Sequence, residues 1–361
     1  MGDAADGNWF KFGAIVIWSI GLISLMCLFC ACKRIETAIQ MLQVGSQFVR
    51  DNTLLIFAPM VWMGLFVVFA FLWIASSAYV FSVGEVIHKP GYAFGVIEWD
   101  TETTIYFWMC LWSFIWHSAI ILCSLNFLVT CSATLWYFAT NKTSPATAFY
   151  WTALNWTFLK HWGSVVFSAV LIGTLWVVQI VMSMLIAFLK SDDKGGENKI
   201  AIWLAQCCAC CLECFESCVT FLSNQSYVEI SIKSISYIPA ACASMKVILN
   251  YAMEFSFIHG AVACTSTFAV FTITCVTTIV GSLFLDHVQS QNLVQLETYS
   301  PKVFIFFCAL VISKMFTLIY EIACDTVLHC FAYNDSLAPE SFSKAKVNVQ
   351  EEKYTQLREV K

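Results

Sequence analysis

Apolar runs too long for the core of a water-soluble domain recur along this chain. The last, Val303 to Tyr333 (VFIFFCALVISKMFTLIYEIACDTVLHCFAY), can cross a bilayer as a helix of about 20 residues or more. Inside it stand Lys314, Glu321, Asp325 and His329. At about 100° per residue, with Lys314 at zero, Glu321 falls at about −20°, Asp325 at about +20° and His329 at about +60°, so all four share one face. Ionisable groups in hydrocarbon are costly unless they are paired or face a wet cavity, which makes this stripe a functional candidate. A plainer alternative ends the hydrocarbon near Glu321. Asp325 and His329 are then interfacial charges, and only Lys314 needs a partner, with Glu321 two turns away.

The composition agrees with a chain that lives in lipid. Of 361 residues, 59% are hydrophobic and 12% charged, against about 25% charged in soluble proteins. The expected fold class is all-α: a polytopic bundle of about seven transmembrane helices, or one fewer if 225–257 does not cross, with amphipathic interfacial helices. One membrane domain, 12–333, lies between an N-terminal tail, 1–11, and a polar, disordered cytosolic tail, 334–361. The net charge of −5 and the scattered basic residues argue against a nucleic-acid partner. Many of the 14 Trp lie near span ends, where aromatic belts form.

Span one, Phe12 to Cys32, ends at Lys33 and Arg34, whereas Asp3 and Asp6 precede it, so the Lys/Arg bias puts the N-terminus outside. Ile35 to Asn52 carries Ile35, Ala38, Ile39, Leu42 and Phe48 at helical spacing and reads as an amphipathic helix on the inner surface. Span two runs from Leu54 to Phe81 with Pro59 in its first turns. An acid-rich outer loop precedes span three, Ile105 to Ala139, which holds Asn126 and is long enough to tilt. The aromatic stretch Lys142 to Trp162 is read as interfacial and inner, and span four covers Gly163 to Leu189.

Cys207, Cys208, Cys210, Cys211, Cys214 and Cys218 then crowd one helix, placed outside by counting crossings. Overlapping Cys-x-x-Cys pairs on a helix make a poor zinc tetrahedron. Disulfides suit them if the segment is extracellular, and palmitoyl attachment if it is cytosolic. In the same topology Asn224, in Asn-Gln-Ser, is the glycosylation candidate. Segment five, Tyr227 to Phe255, holds Glu229, Lys233, Lys246, Glu254 and a central Pro239. It reads either as a broken helix lining a cavity or as an interfacial helix that never crosses. Span six is His259 to Leu285, rich in small and hydroxylated residues.

Several stretches together resemble one family. LNFLVTCSATLWYFA (Leu125 to Ala139), HWGSVVFSAVLI (His161 to Ile172), CCACCLECFESCVTFLSNQSYVEISI (Cys207 to Ile232) and KMFTLIYEIACDTVLHCF (Lys314 to Phe331) look like consecutive blocks of the choline transporter-like membrane proteins. KRIETAIQMLQVGSQFV followed by Pro59 resembles that family's cytosolic helix leading into a proline-started span. Asn126, Gly163, Ser164, Tyr320, Asp325 and Cys330 match the pattern, whereas SYIPAACASMKV and Lys314 depart from it. Family members carry further N-terminal spans, so the likeness is to an N-terminally shortened member.

The resemblance implies facilitated transport of choline or a similar small organic cation, in the plasma membrane or an organelle membrane. Such a ligand asks for an aromatic cage with nearby countercharge. Asp325, Glu321 and Tyr320 on the last span, with Lys314 beside them, and Trp112, Trp116 or Trp136 with Asn126 on span three are the substrate-path candidates. The alternative is a non-transporting subunit whose spans dock lipid or the protein partners of a larger membrane complex. An enzyme is not expected: HExxH, GxSxG and Walker signatures are absent from the sequence, and no cofactor or metal motif is evident.

Overall fold

The computed structural model of the chain describes residues 18–19, 21–22, 32–88, 95–139, 146–192, 199–290 and 299–337. The N-terminal tail, most of span one and the tail beyond 337 lie outside the described residues. Helix α1, Cys32–Asp51, leads through the single turn α2, Thr53–Ile56, into α3, Ala58–Ser82. Pro59 sits at the head of α3, where its missing N–H would have no helical partner in any case. Two short antiparallel strands follow, β1 (Glu85–Ile87) and β2 (Val96–Glu98), a small addition to an otherwise helical chain. Asp100 then caps α4, Thr101–Phe138, accepting the Thr103 N–H at 3.0 Å. The Thr103 hydroxyl and this N–H together hold the Asp100 carboxyl below its ordinary value.

Helix α5, Ala146–Asn155, passes through a π turn, Trp156–Lys160, into α6, Trp162–Asp192. The remaining helices are α7 (Lys199–Lys233), α8 (Tyr237–Asn250), α9 (Ala252–Ser290) and α10 (Tyr299–Leu337). Among the described residues six helices are long and apolar enough to cross a membrane: α2–α3 taken together, α4, α6, α7, α9 and α10. The chain is therefore an all-α, multi-pass integral membrane protein. Helix α10 continues past Tyr333 to Leu337, so the last span ends later than its hydropathy suggests.

Segment five needs correction, because Tyr227 to Phe255 is not a crossing of its own. Tyr227 to Lys233 closes α7, the chain breaks at Ser234 with φ 52°, and Phe255 already belongs to α9. The 14 residues of α8 span only about 21 Å, short of the ~30 Å hydrocarbon layer. The crossing is instead the Cys-rich helix itself, Ile200–Lys233. The acid and lysine that make 227–233 look non-membranous, Glu229 and Lys233, are paired with each other, and Glu229 also with His329. Pro239 lies in the first turn of α8, where it starts a helix rather than breaking one.

Burial is concentrated at one end of the bundle. Cys123 to Thr134 of α4 are buried on every side, as are Gln225 to Ser231 of α7 and Ile322 to Cys330 of α10. A helix apolar and enclosed all round is a core helix, and α4 is the centre here. Helix α1 caps this end through Ala38, Met41 and Phe48, with the Phe48 ring edge-on to Trp136 at 5.5 Å. Ile39, expected on the same face, is exposed instead. Gly45 lets the two backbones meet: a Cβ there would stand 2.3 Å from Cys324 Sγ of α10. Toward the opposite end, α3, α9 and α10 show Phe, Leu, Val and Ile outward, the surface lipid wants.

Candidate functional site

Helix α10 pairs two ionisable residues of its stripe with each other and sets the stripe against four side chains of α7 and α9. Lys314 Nζ lies 2.6 Å from Glu321 Oε1, which also accepts the Ser266 hydroxyl of α9. One turn on, the Asp325 carboxylate faces His259 Nδ1 of α9 at 3.0 and 3.2 Å. The Phe221 ring of α7 stands edge-on to that imidazole at 5.1 Å. A further turn on, His329 is fully buried, its Nδ1 2.9 Å from Gln225 Oε1 and its Nε2 3.3 Å from Glu229 Oε1. Glu229 is also fully buried, and Lys233 Nζ reaches its other oxygen at 2.7 Å while lying 4.8 Å over the Tyr333 ring.

The stripe is graded. At its far end Lys314 is 57% exposed and His259 50%, while Glu321 and Asp325 behind them are 23% and 13% exposed. At the α1 end His329 and Glu229 are fully buried. A charge exposed midway along a span must meet water or another protein, because lipid alone would strand it. The geometry is thus an open-sided polar seam between α9 and α10, closed at one end by the buried His329–Glu229 pair.

The other path candidates are dispersed. Tyr320 sends its hydroxyl to the Leu42 carbonyl of α1 at 3.4 Å, so it holds the cap rather than lining the seam. Asn126 donates to Asn224 Oδ1 at 3.2 Å and ties α4 to α7. Trp112 is exposed, and the Trp116 backbone lies against Gly173 of α6. Trp136 packs on Phe48. The expected cage of span-three tryptophans beside the carboxylates is not assembled: Trp136 packs on Phe48 of α1 and Trp112 is exposed. The rings near the seam are Phe221 and Phe255, the latter 6.0 Å from His329.

Asn224 is corrected as well. Counting crossings puts it outside as a glycosylation candidate, but it lies inside α7 with its side chain used across the helix interface. The six clustered cysteines, Cys207 to Cys218, are all unbonded and exposed along the half of α7 away from α1. The partners that sequence reasoning missed carried a faint signal. His259 and Ser266 are seven residues apart, hence about 20° from one another, and Gln225 and Glu229 are four apart, the spacings of one helix face.

Comparison with known proteins bears on what such a seam is for. The family described as plasma-membrane choline transporter matches residues 15–336. The chain belongs to this family. Choline transporter-like protein 1 of Mus musculus is 23% identical over 321 residues, 87% of this chain and 48% of the mouse protein. Choline transporter-like protein 3 of Homo sapiens is 23% identical over 328 residues, covering 88% of this chain and 48% of the human protein. Choline transporter-like protein 2 of Dictyostelium discoideum is 24% identical over 320 residues, 88% and 49% of the two chains. The chain spans about half the length of these relatives. All three carry transporter names rather than enzyme names.

Proposed function

We propose that this chain takes part in facilitated movement of choline or a similar small organic cation, with the α9–α10 seam as part of the path. The observation that carries the reading is the pair of carboxylates, Glu321 and Asp325, set behind the half-exposed Lys314 and His259 within the α9–α10 seam. A quaternary ammonium is held by carboxylate countercharge and aromatic faces, and Phe221 lies against the same imidazole that Asp325 engages. For a cation to enter, Lys314 must swing from Glu321, and its flexible stem and exposure allow that.

One observation favours a second reading, a non-transporting subunit of a larger membrane complex. Both carboxylates already have partners within the chain, and the exposed charges of α9 and α10 would equally suit a neighbouring protein. Tritiated choline uptake into vesicles separates the two. The transport reading expects wild-type uptake to exceed that of the Asp325→Ala, Glu321→Ala double variant, with membrane insertion checked for both. Equal uptake, together with co-purification of a second protein at fixed stoichiometry in mild detergent, would establish the subunit instead.

A further inference from the structure

A separate polar site lies at the α1 end of the bundle, away from the α9–α10 seam. The π turn and the start of α6 form one wall, and the break between α7 and α8 forms the other, around an open cleft of about 520 Å³. Its polar lining is Lys160, His161, Ser164, Ser234 and Ser236, while Phe167 and Ile238 supply apolar wall. No carboxylate is among the lining residues.

Local backbone geometry explains why these groups converge. The π turn spends one extra residue, bonding the His161 N–H to the Trp156 carbonyl at 2.8 Å, and so delivers Lys160 and His161 together to the head of α6. Lys160 Nζ rests 5.3 Å over the Trp156 ring. Opposite, Ser234 turns the chain at positive φ, and Ser236 stands at the N-cap of α8 with its hydroxyl making no bond to the helix it precedes. An N-cap serine ordinarily spends its hydroxyl on its own helix, so this one is available to something else. The first N–H groups of α8 have no helical partner and sit at the positive end of its dipole. Burial and, after it, Lys160 hold His161 below the ordinary imidazole value.

We infer that this cleft binds a phosphate ester, the phosphate at Lys160, His161 and Ser236 and the organic part along Phe167 and Ile238. A lipid headgroup and a soluble phosphate monoester share that chemistry. The site does not depend on the transport reading, and its test uses no transport measurement.

The full chain, purified in dodecyl maltoside, is titrated calorimetrically with dihexanoyl phosphatidic acid and, separately, with glycerol 3-phosphate. Two variants address the cleft. Lys160→Gln removes the cation, and Gly163→Phe fills the space, since a Cβ on Gly163 meets nothing within 4 Å. Lys246→Gln, on α8 outside the lining, is the control. An unchanged thermal midpoint verifies that each variant is folded. Binding should weaken about tenfold in Lys160→Gln, roughly the loss of one charge-assisted hydrogen bond, weaken at least tenfold in Gly163→Phe, whose ring occupies the cleft, and stay at wild-type strength in Lys246→Gln. Binding of the lipid alone assigns a headgroup, and equal binding of glycerol 3-phosphate assigns a soluble ester. Failure of both probes to bind, or wild-type binding in both cleft variants, overturns the site.

Discussion

Replacing Gly45 by Ala tests how closely α1 must seat on α10. The added Cβ would stand 2.3 Å from Cys324 Sγ and 3.5 Å from Cys324 Cα. Non-bonded heavy atoms rest at about 3.5–4.0 Å, so the sulfur contact must open by ~1.2 Å or more, whereas the backbone contact is already ordinary. Cys324 is fully buried, which leaves its thiol little room to rotate away. Relief then comes from lifting α1, which weakens the burial of Ala38, Met41 and Phe48 beside it. Overpacking of this kind costs about 1–3 kcal/mol. The assay is a double-mutant cycle on thermal unfolding in detergent, with Gly45→Ala, Cys324→Ala and both together. The single glycine variant should lose stability within that range, and the double variant should recover most of the loss, giving a coupling of about 1 kcal/mol or more. Strict additivity of the two changes would refute the argument that this thiol is the obstacle.

Two further outcomes follow from the same geometry. His161 titrates below its ordinary value in the folded chain because of burial and Lys160, so folding favours its neutral form. The stability it contributes is present above the unfolded value, about 6.5, and is lost as pH falls from there toward the folded one. The thermal midpoint should therefore drop between pH 7 and pH 5 by more in wild type than in His161→Asn, and parallel profiles would contradict the assignment. Asn224 lies within α7 and bonds Asn126, so glycosidase treatment should leave the electrophoretic mobility of the expressed chain unchanged. A mobility shift that Asn224→Gln abolishes would remove this placement.

The crossings at α3, α4, α6, α9 and α10 were legible from hydropathy, because a bilayer demands long apolar runs and tolerates few substitutes. The α10 stripe was legible from angle alone, since Lys314, Glu321, Asp325 and His329 share a face of one helix by covalent geometry. Segment five misled for a definite reason. Glu229 and Lys233 look foreign to a membrane in sequence, yet they sit at the end of a crossing helix because His329 and each other satisfy them. Hydropathy counts charges one at a time and cannot see the partner that neutralises them.

What the sequence by itself determined is a multi-pass helical chain with an amphipathic lead-in helix and an ionisable face on its last span, all of which follow from period and length. Only the tertiary structure decided which residues answer that face. His259, Ser266, Gln225 and Glu229 lie about 50 to 100 positions away along the chain, and the same folding scatters the span-three tryptophans to other flanks. Pairings of that separation depend on which helices become neighbours and how each is rotated, and those choices are set by packing at Gly45, at Cys123 to Thr134 and at the other close contacts of the buried end.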